Sequence, residues 1–114
     1  MKLDIRWKGT SRSEALSQHV HDRARSAFRP SAGRVRQIVV RLEDLNGPKG
    51  GVDKRCTVEV VGTFGVRVTE ARDMDFHVAA GRALEMAGRS ALRAHDRQLE
   101  HDPISIRNPR KELA

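Results

Sequence analysis

The stretch from Asp73 to Leu99, DMDFHVAAGRALEMAGRSALRAHDRQL, constrains what this chain can fold into more than any other. Phe76, Ala80, Ala83, Leu84, Ala87, Ala91 and Ala94 recur at three- and four-residue spacing, the row that a helix lying on a sheet buries. Arg82, Arg89, Arg93 and Arg97 make a second row. At about 100° per residue these four fall within a band of roughly 80° beside the apolar row, with Asp96 the main acid near them. One flank packs and another presents guanidinium groups.

The segments before it supply the sheet. Lys2 to Lys8 alternates, with Leu3, Ile5 and Trp7 on one side and Lys2, Asp4, Arg6 and Lys8 on the other, the pattern of a half-buried strand. Gly9, Thr10 and Ser11 break it. Either Ser11, with Glu14 three residues on, or Ser13 suits the cap of the helix that follows. That helix aligns Leu16, Val20, Ala24, Ala27 and Phe28, and Pro30 closes it. Arg25 and Arg29 fall on its wet side, whereas Arg23 sits nearer the packed face and can run its stem along it.

Three more strands are expected at Val35 to Glu43, Arg55 to Val61 and from Val66 to about Arg72, with Ile38, Val40 and Leu42, then Cys56, Val58 and Val60, facing inward. The loop NGPKGGVDK, Asn46 to Lys54, reads as a turn, and Gly62 to Gly65 as a tight one. The order β-α-β-β-β-α predicts a two-layer α+β sandwich: a four-stranded sheet, three strands of it an antiparallel meander, with both helices packed on one face. Residues 1–99 make this single domain. From Glu100 onward HDPISIRNPRKELA has two prolines and no period, the character of a disordered tail over residues 100–114.

Charge then narrows the partner. The chain has 114 residues, a formal charge of +7 and a pI near 10.7, which points to a polyanion. Residues 1–99 carry 19 basic against 12 acidic side chains and the tail 3 against 3, so the whole excess lies in the folded part. Seventeen of the 22 basic residues are arginine, whose planar fork suits phosphate. No apolar run long enough to cross a membrane occurs and MKLDIRWKG is not followed by a signal-peptide core, so a cytoplasmic protein without a membrane partner is expected.

Catalytic and metal-binding readings fare poorly. Cys56, the lone cysteine, shares strand parity with Val58 and Val60 and behaves as a small core hydrophobe. His19 and His21 are two apart on a helix and diverge, and His77, His95 and His101 have no ligand-spaced partner. Glu43 and Glu59 fall on the wet sheet face among Arg41, Arg55 and Arg67, a setting for cross-strand ion pairs. The GPKGG loop is no phosphate loop, although Lys49 and Lys54 at such a tip can touch an RNA backbone. No enzyme activity, cofactor, metal or small-molecule substrate is expected. With no tyrosine, and with Trp7, Phe28 and Phe76 needed inside, only Phe64 at a turn is left for base stacking. Recognition of phosphates and shape in folded RNA is therefore favoured over single-strand reading.

The element order, the helix SEALSQHVHDRARSAF, the stretch RLEDLNGPKGGVDKRCTVEV and the helix opening DMDFHVAAGRALEMAGRSALR together resemble the ribosome hibernation promoting factor family, which includes the ribosome-associated inhibitor RaiA. The resemblance spans about residues 3–95. It implies a non-enzymatic factor that docks in the decoding channel of the small ribosomal subunit, overlaps the mRNA and tRNA sites and silences idle ribosomes under stress or in stationary phase. Basic residues on both helices then face ribosomal RNA. Position by position these are Arg23, Arg25 and Arg29 on the first helix and Arg82, Arg89 and Arg93 on the second, with Arg97 beyond the well-matched part. The bacterial family also has long members with a second domain that pairs ribosomes. This chain stops at Ala114, so a short single-domain form, monomeric when free, is expected. Gly81 and Gly88 are expected to weaken the second helix. The alternative is a general double-stranded RNA-binding module, whose order is α-β-β-β-α; the extra first strand and the lack of a lysine cluster at the start of the second helix speak against it.

Overall fold

Alternation in the first segment does form a strand, β1 (Lys2–Lys8), and the serine-rich break after it starts helix α1 (Glu14–Ala27). Ser13 is the cap: its hydroxyl accepts from the Leu16 amide at 3.2 Å, satisfying a donor that the first helical turn leaves open. Leu16, Val20 and Ala24 are buried along α1 and Phe28 closes it, fully enclosed. Pro30 then opens a 3-10 turn over Arg29–Arg34, where the sequence implied only a break. The computed structural model describes residues 1–46 and 53–100, so most of the Asn46 to Lys54 loop, Lys49 included, and the tail after Glu100 lie outside the described residues.

Strands β2 (Val35–Asp44), β3 (Lys54–Gly62) and β4 (Gly65–Asp73) follow, each within two residues of the expected bounds, then helix α2 (Phe76–Glu100). The sheet order is β1-β2-β3-β4, with β2, β3 and β4 antiparallel and β1 parallel to β2. Ile38, Val40 and Leu42 pair with Val60, Val58 and Cys56, and this inward face meets α1 and α2 in one core. The two-layer α+β sandwich is therefore present as expected.

Two details of the sheet differ from expectation. Arg67 pairs with Val60 and so lies on the helix side, while Val66 and Val68 point outward, 56% and 62% exposed. The two-residue turn between Gly62 and Gly65 carries the pairing parity from β3 into β4, so a tight turn, not hydrophobicity, decides which side Arg67 takes. Phe64 in that turn is not free: it packs against the core beside Gly62.

The helices run side by side in the same direction, since His19 meets His77, Arg23 meets Gly81 and Ala27 meets Gly88. Both are held to the sheet by burial, and Thr69 of β4 adds a hydrogen bond from its hydroxyl to the Ala83 carbonyl of α2 at 2.8 Å. Gly81 and Gly88 are themselves buried. Seven residues apart, they share one face of α2, so the glycines expected only to weaken this helix form its contact with α1.

Candidate nucleic-acid interface

The outer surface of the helical layer carries the arginines, because the apolar rows that turn α1 and α2 toward the sheet leave their polar rows facing water. Arg23, Arg25, Arg29, Arg82, Arg89, Arg93 and Arg97 are all exposed. They do not form a single patch. On α2 Arg89, Arg93 and Arg97 lie roughly 130° around the helix from Gly81 and Gly88, away from α1, whereas Arg82 borders the seam with α1. Arg25 projects from α1, Arg29 falls not on that helix as expected but at the start of the 3-10 turn that Pro30 opens, and Arg23 lies between the two helices, its Nε 3.5 Å from where a Cβ on Gly81 would stand. The surface is two basic ridges separated by a seam.

Ion pairing divides the molecule. On the outer sheet face most charge is internally matched: Arg41 bonds Glu59 at 3.2 Å, Arg55 bonds Glu43 and approaches Glu70 at 3.9 Å, and Arg72 bonds Glu70 at 3.3 Å. The pairs of Arg41 with Glu59 and Arg55 with Glu43 are the cross-strand pairs expected from the sequence; Glu70 adds contacts not expected, that with Arg72 within β4, and Arg67 takes no part. On the helices Arg25 pairs with Asp22 at 3.3 Å, Arg89 with Glu85 at 3.5 Å and Arg82 with Asp73 at 3.8 Å, while Arg23, Arg29, Arg93 and Arg97 make no ion pair among the described residues. Glu85 and Asp73, rather than Asp96, are the acids that engage the row among the described residues. Exposed pairs of this kind are worth under about 1 kcal/mol each, so they yield readily to a phosphate.

Lys54 belongs elsewhere. It opens β3, only 19% of its side chain is exposed, and its ammonium binds Asp44 at 2.9 Å and Asp53 at 3.3 Å above the Phe76 ring. The hydrogen bond to Asp44 first, and that to Asp53 next, hold this ammonium above its ordinary pKa despite desolvation. It is a structural cation rather than one at a free loop tip. The sequence placed it in a turn because glycine and proline precede it, and burial of the neighbouring Asp53 is a tertiary fact.

Glu43 is the carboxylate most affected by its neighbours. The hydrogen bond from Arg55, with the added charges of Arg55 and Lys8, holds it below the ordinary carboxylate range against the opposing effect of desolvation. A carboxyl that binds its proton less tightly when folded contributes stability above its unfolded pKa and loses it as pH falls through the folded value. Glu43→Gln is therefore expected to flatten the acid limb of the stability curve, measured as a smaller fall in melting temperature between about pH 6 and about pH 3 than in the parent chain.

Little else in the structure offers chemistry. Cys56 is fully buried and desolvation pushes its thiol up to about 12, so it is not a thiolate at neutral pH. Among the described residues no cluster of three or more His, Cys, Asp or Glu side chains is arranged to hold a metal, and no helix is long and apolar enough to cross a membrane.

No family model matches the chain, and no curated protein matches it. Solved structures do. A ribosomal subunit interface protein from Coxiella burnetii superposes with a TM-score of 0.73 at 12% identity, over 84% of this chain and 99% of that one. The N-terminal domain of Thermus thermophilus Protein Y superposes with a TM-score of 0.62 at 21% identity, over 81% of this chain and 93% of that one. The chain therefore has the fold of these two proteins, matched over nearly the whole length of each, as the family resemblance in its sequence implied.

Proposed function

We propose that this protein binds the ribosome and silences it by occupancy, its helical layer laid against ribosomal RNA of the small subunit where mRNA and tRNA would otherwise sit. The observation that carries this reading is the division of charge. The sheet face largely neutralises itself, whereas Arg23, Arg29, Arg93 and Arg97 stand unpaired among the described residues and Arg25, Arg82 and Arg89 have only exposed partners. A surface of forks without stacking aromatics suits the phosphates of a folded RNA better than the bases of a single strand. The fold shared with a ribosomal subunit interface protein, and the sequence resemblance to hibernation factors, favour the ribosome as the source of that RNA. The action is steric, takes place in the cytoplasm and needs no cofactor. Residues 1–99 act as one monomeric unit, with the tail from Glu100 accessory to it.

Sedimentation of the purified protein with ribosomes tests the reading. Binding is expected at low salt and should weaken about 10²- to 10⁴-fold between about 50 and about 200 mM salt, the response of roughly four to seven phosphate contacts. Protein that stays at the top of the gradient at low salt contradicts it. Equal affinity for ribosomes and for an arbitrary RNA duplex would instead make the chain a general double-stranded RNA-binding module.

A further inference from the structure

The seam between α1 and α2 is not closed at its outer surface. His19, Arg23, His77, Gly81, Arg82 and Glu85 line a cleft of about 240 Å³ there. Gly81 lies at its floor, with the Arg23 guanidinium alongside: a Cβ there would stand 3.5 Å from Nε and 3.6 Å from Nη2, ordinary contact distances. Arg23 lies along the seam, exposed, and makes no ion pair among the described residues. Arg82 forms the other rim, 3.8 Å from Asp73 and largely exposed.

Two imidazoles stand at the same place. The rings of His19 and His77 have centroids 4.8 Å apart and are tilted by 51°. His19 Nε2 lies 3.1 Å from the His77 carbonyl oxygen, where it donates, so its Nδ1 is the site left for a proton. Nδ1 of His77 lies 3.4 Å from Asp75, whose carboxylate also accepts from the His77 amide at 2.8 Å. Glu85, the acid of the lining, is 3.5 Å from Arg89. Beyond His77, Lys54 of β3 lines a neighbouring hollow and is already held by Asp44 and Asp53.

We propose that this cleft is a binding site for one phosphate group, presented on the ribosome by an RNA backbone diester, and that its occupancy is coupled to proton uptake by His19 and His77. Two adjacent imidazoles stand beside Arg23 and Arg82, groups that repel one another when all are charged, and among the described residues Asp75 is the carboxylate in contact with a ring. A phosphate between these groups offsets that repulsion and accepts from both guanidinium forks. Anion binding and protonation therefore favour each other, and affinity rises as pH falls. This deepens the proposed function by assigning its surface one defined, pH-sensitive contact.

Amide chemical shifts of the full chain, titrated with the diribonucleotide UpU, test it, because a diester has no proton of its own to lose near neutrality. UMP and uridine are the companion probes. Saturable shifts centred on His19, Arg23, His77 and Gly81 are expected with UpU and not with uridine, tightening about threefold to tenfold from about pH 8 to about pH 6. Arg23→Ala should abolish them, and His19→Gln with His77→Gln should keep the binding seen at the higher pH but remove its pH dependence. Equal shifts with uridine, shifts confined to Arg89 and Arg93, or pH dependence that survives the double histidine variant would overturn the proposal. Response to UMP alone would assign the cleft to free nucleotides and overturn the RNA diester. If UpU fails while the chain still sediments with ribosomes, the cleft is wrong and the ribosomal function stands; failure of both removes both.

Discussion

Arg89→Glu combined with Arg93→Glu is expected to abolish ribosome binding and to leave the fold in place. Arg89 has 59% of its side chain exposed and a single ion pair, 3.5 Å to Glu85, and Arg93 is exposed with none among the described residues. Folding therefore loses under about 1 kcal/mol. Binding loses far more, since each reversal removes a phosphate contact and sets a carboxylate against the same phosphate. Together they should lower affinity at least about 100-fold at moderate salt, read as loss of the protein from the ribosome pellet with an unchanged circular dichroism spectrum. Lys2→Glu with Arg6→Glu makes the same change in net charge on the outer sheet face, through β1 positions that pair beside Gln37 and Arg41. That variant should pellet nearly as the parent does. Equal loss in both would mean that bulk charge, not the helical surface, drives association.

Gly88→Ala is expected to destabilise the protein sharply, and Gly81→Ala to stabilise it. A Cβ on Gly88 would lie 2.4 Å from the Ala27 carbonyl oxygen and 3.0 Å from its carbon, both backbone atoms with no flexible end to swing aside. Helix α1 would have to lift from α2, loosening a core that includes Val20, Ala24, Leu84, Ala87 and Ala91. Overpacking of this severity costs about 3–4 kcal/mol, from which the better helix propensity of alanine recovers about 1. A net loss of about 2–3 kcal/mol lowers the melting temperature of a domain this size by about 10–20 °C. At Gly81 the new methyl meets only the Arg23 side chain in ordinary contact at 3.5–3.8 Å, so the propensity gain of about 0.5–1 kcal/mol survives as a rise of a few degrees. Thermal melts of the two variants thus move in opposite directions. A Gly88→Ala variant as stable as the parent would contradict the close contact between the helices.

Much of the fold was legible because side chains declare their period. Ile38, Val40 and Leu42 alternate against Gln37, Arg41 and Glu43, and no helical arrangement buries the first set alone. The alanine row of α2 declares its buried face in the same way, and the adjacent arginines follow from it as exposed groups. The cap carried two candidate serines, and only the chain path between strand and helix selected Ser13. Other features have no local signature. The parallel pairing of β1 with β2 depends on where α1 returns the chain, and the helix-side position of Arg67 on the two-residue turn before it. Lys54 reads in the sequence as part of a turn tip, and only the fold brings Asp44 and the buried Asp53 to it.

By itself the sequence determined the elements, the two faces of each, and the excess of arginine on the helices, because propensity, periodicity and charge are properties of neighbours along the chain. Only the tertiary structure decided what those faces meet. Gly81 and Gly88 each cost a lone helix stability, and within the fold Gly88 is what lets α1 approach. Close approach then lays Arg23 along the seam and brings His19 to His77, residues 58 apart in the chain. Such a cluster arises from packing two helices on one sheet, since no spacing along either helix encodes the other.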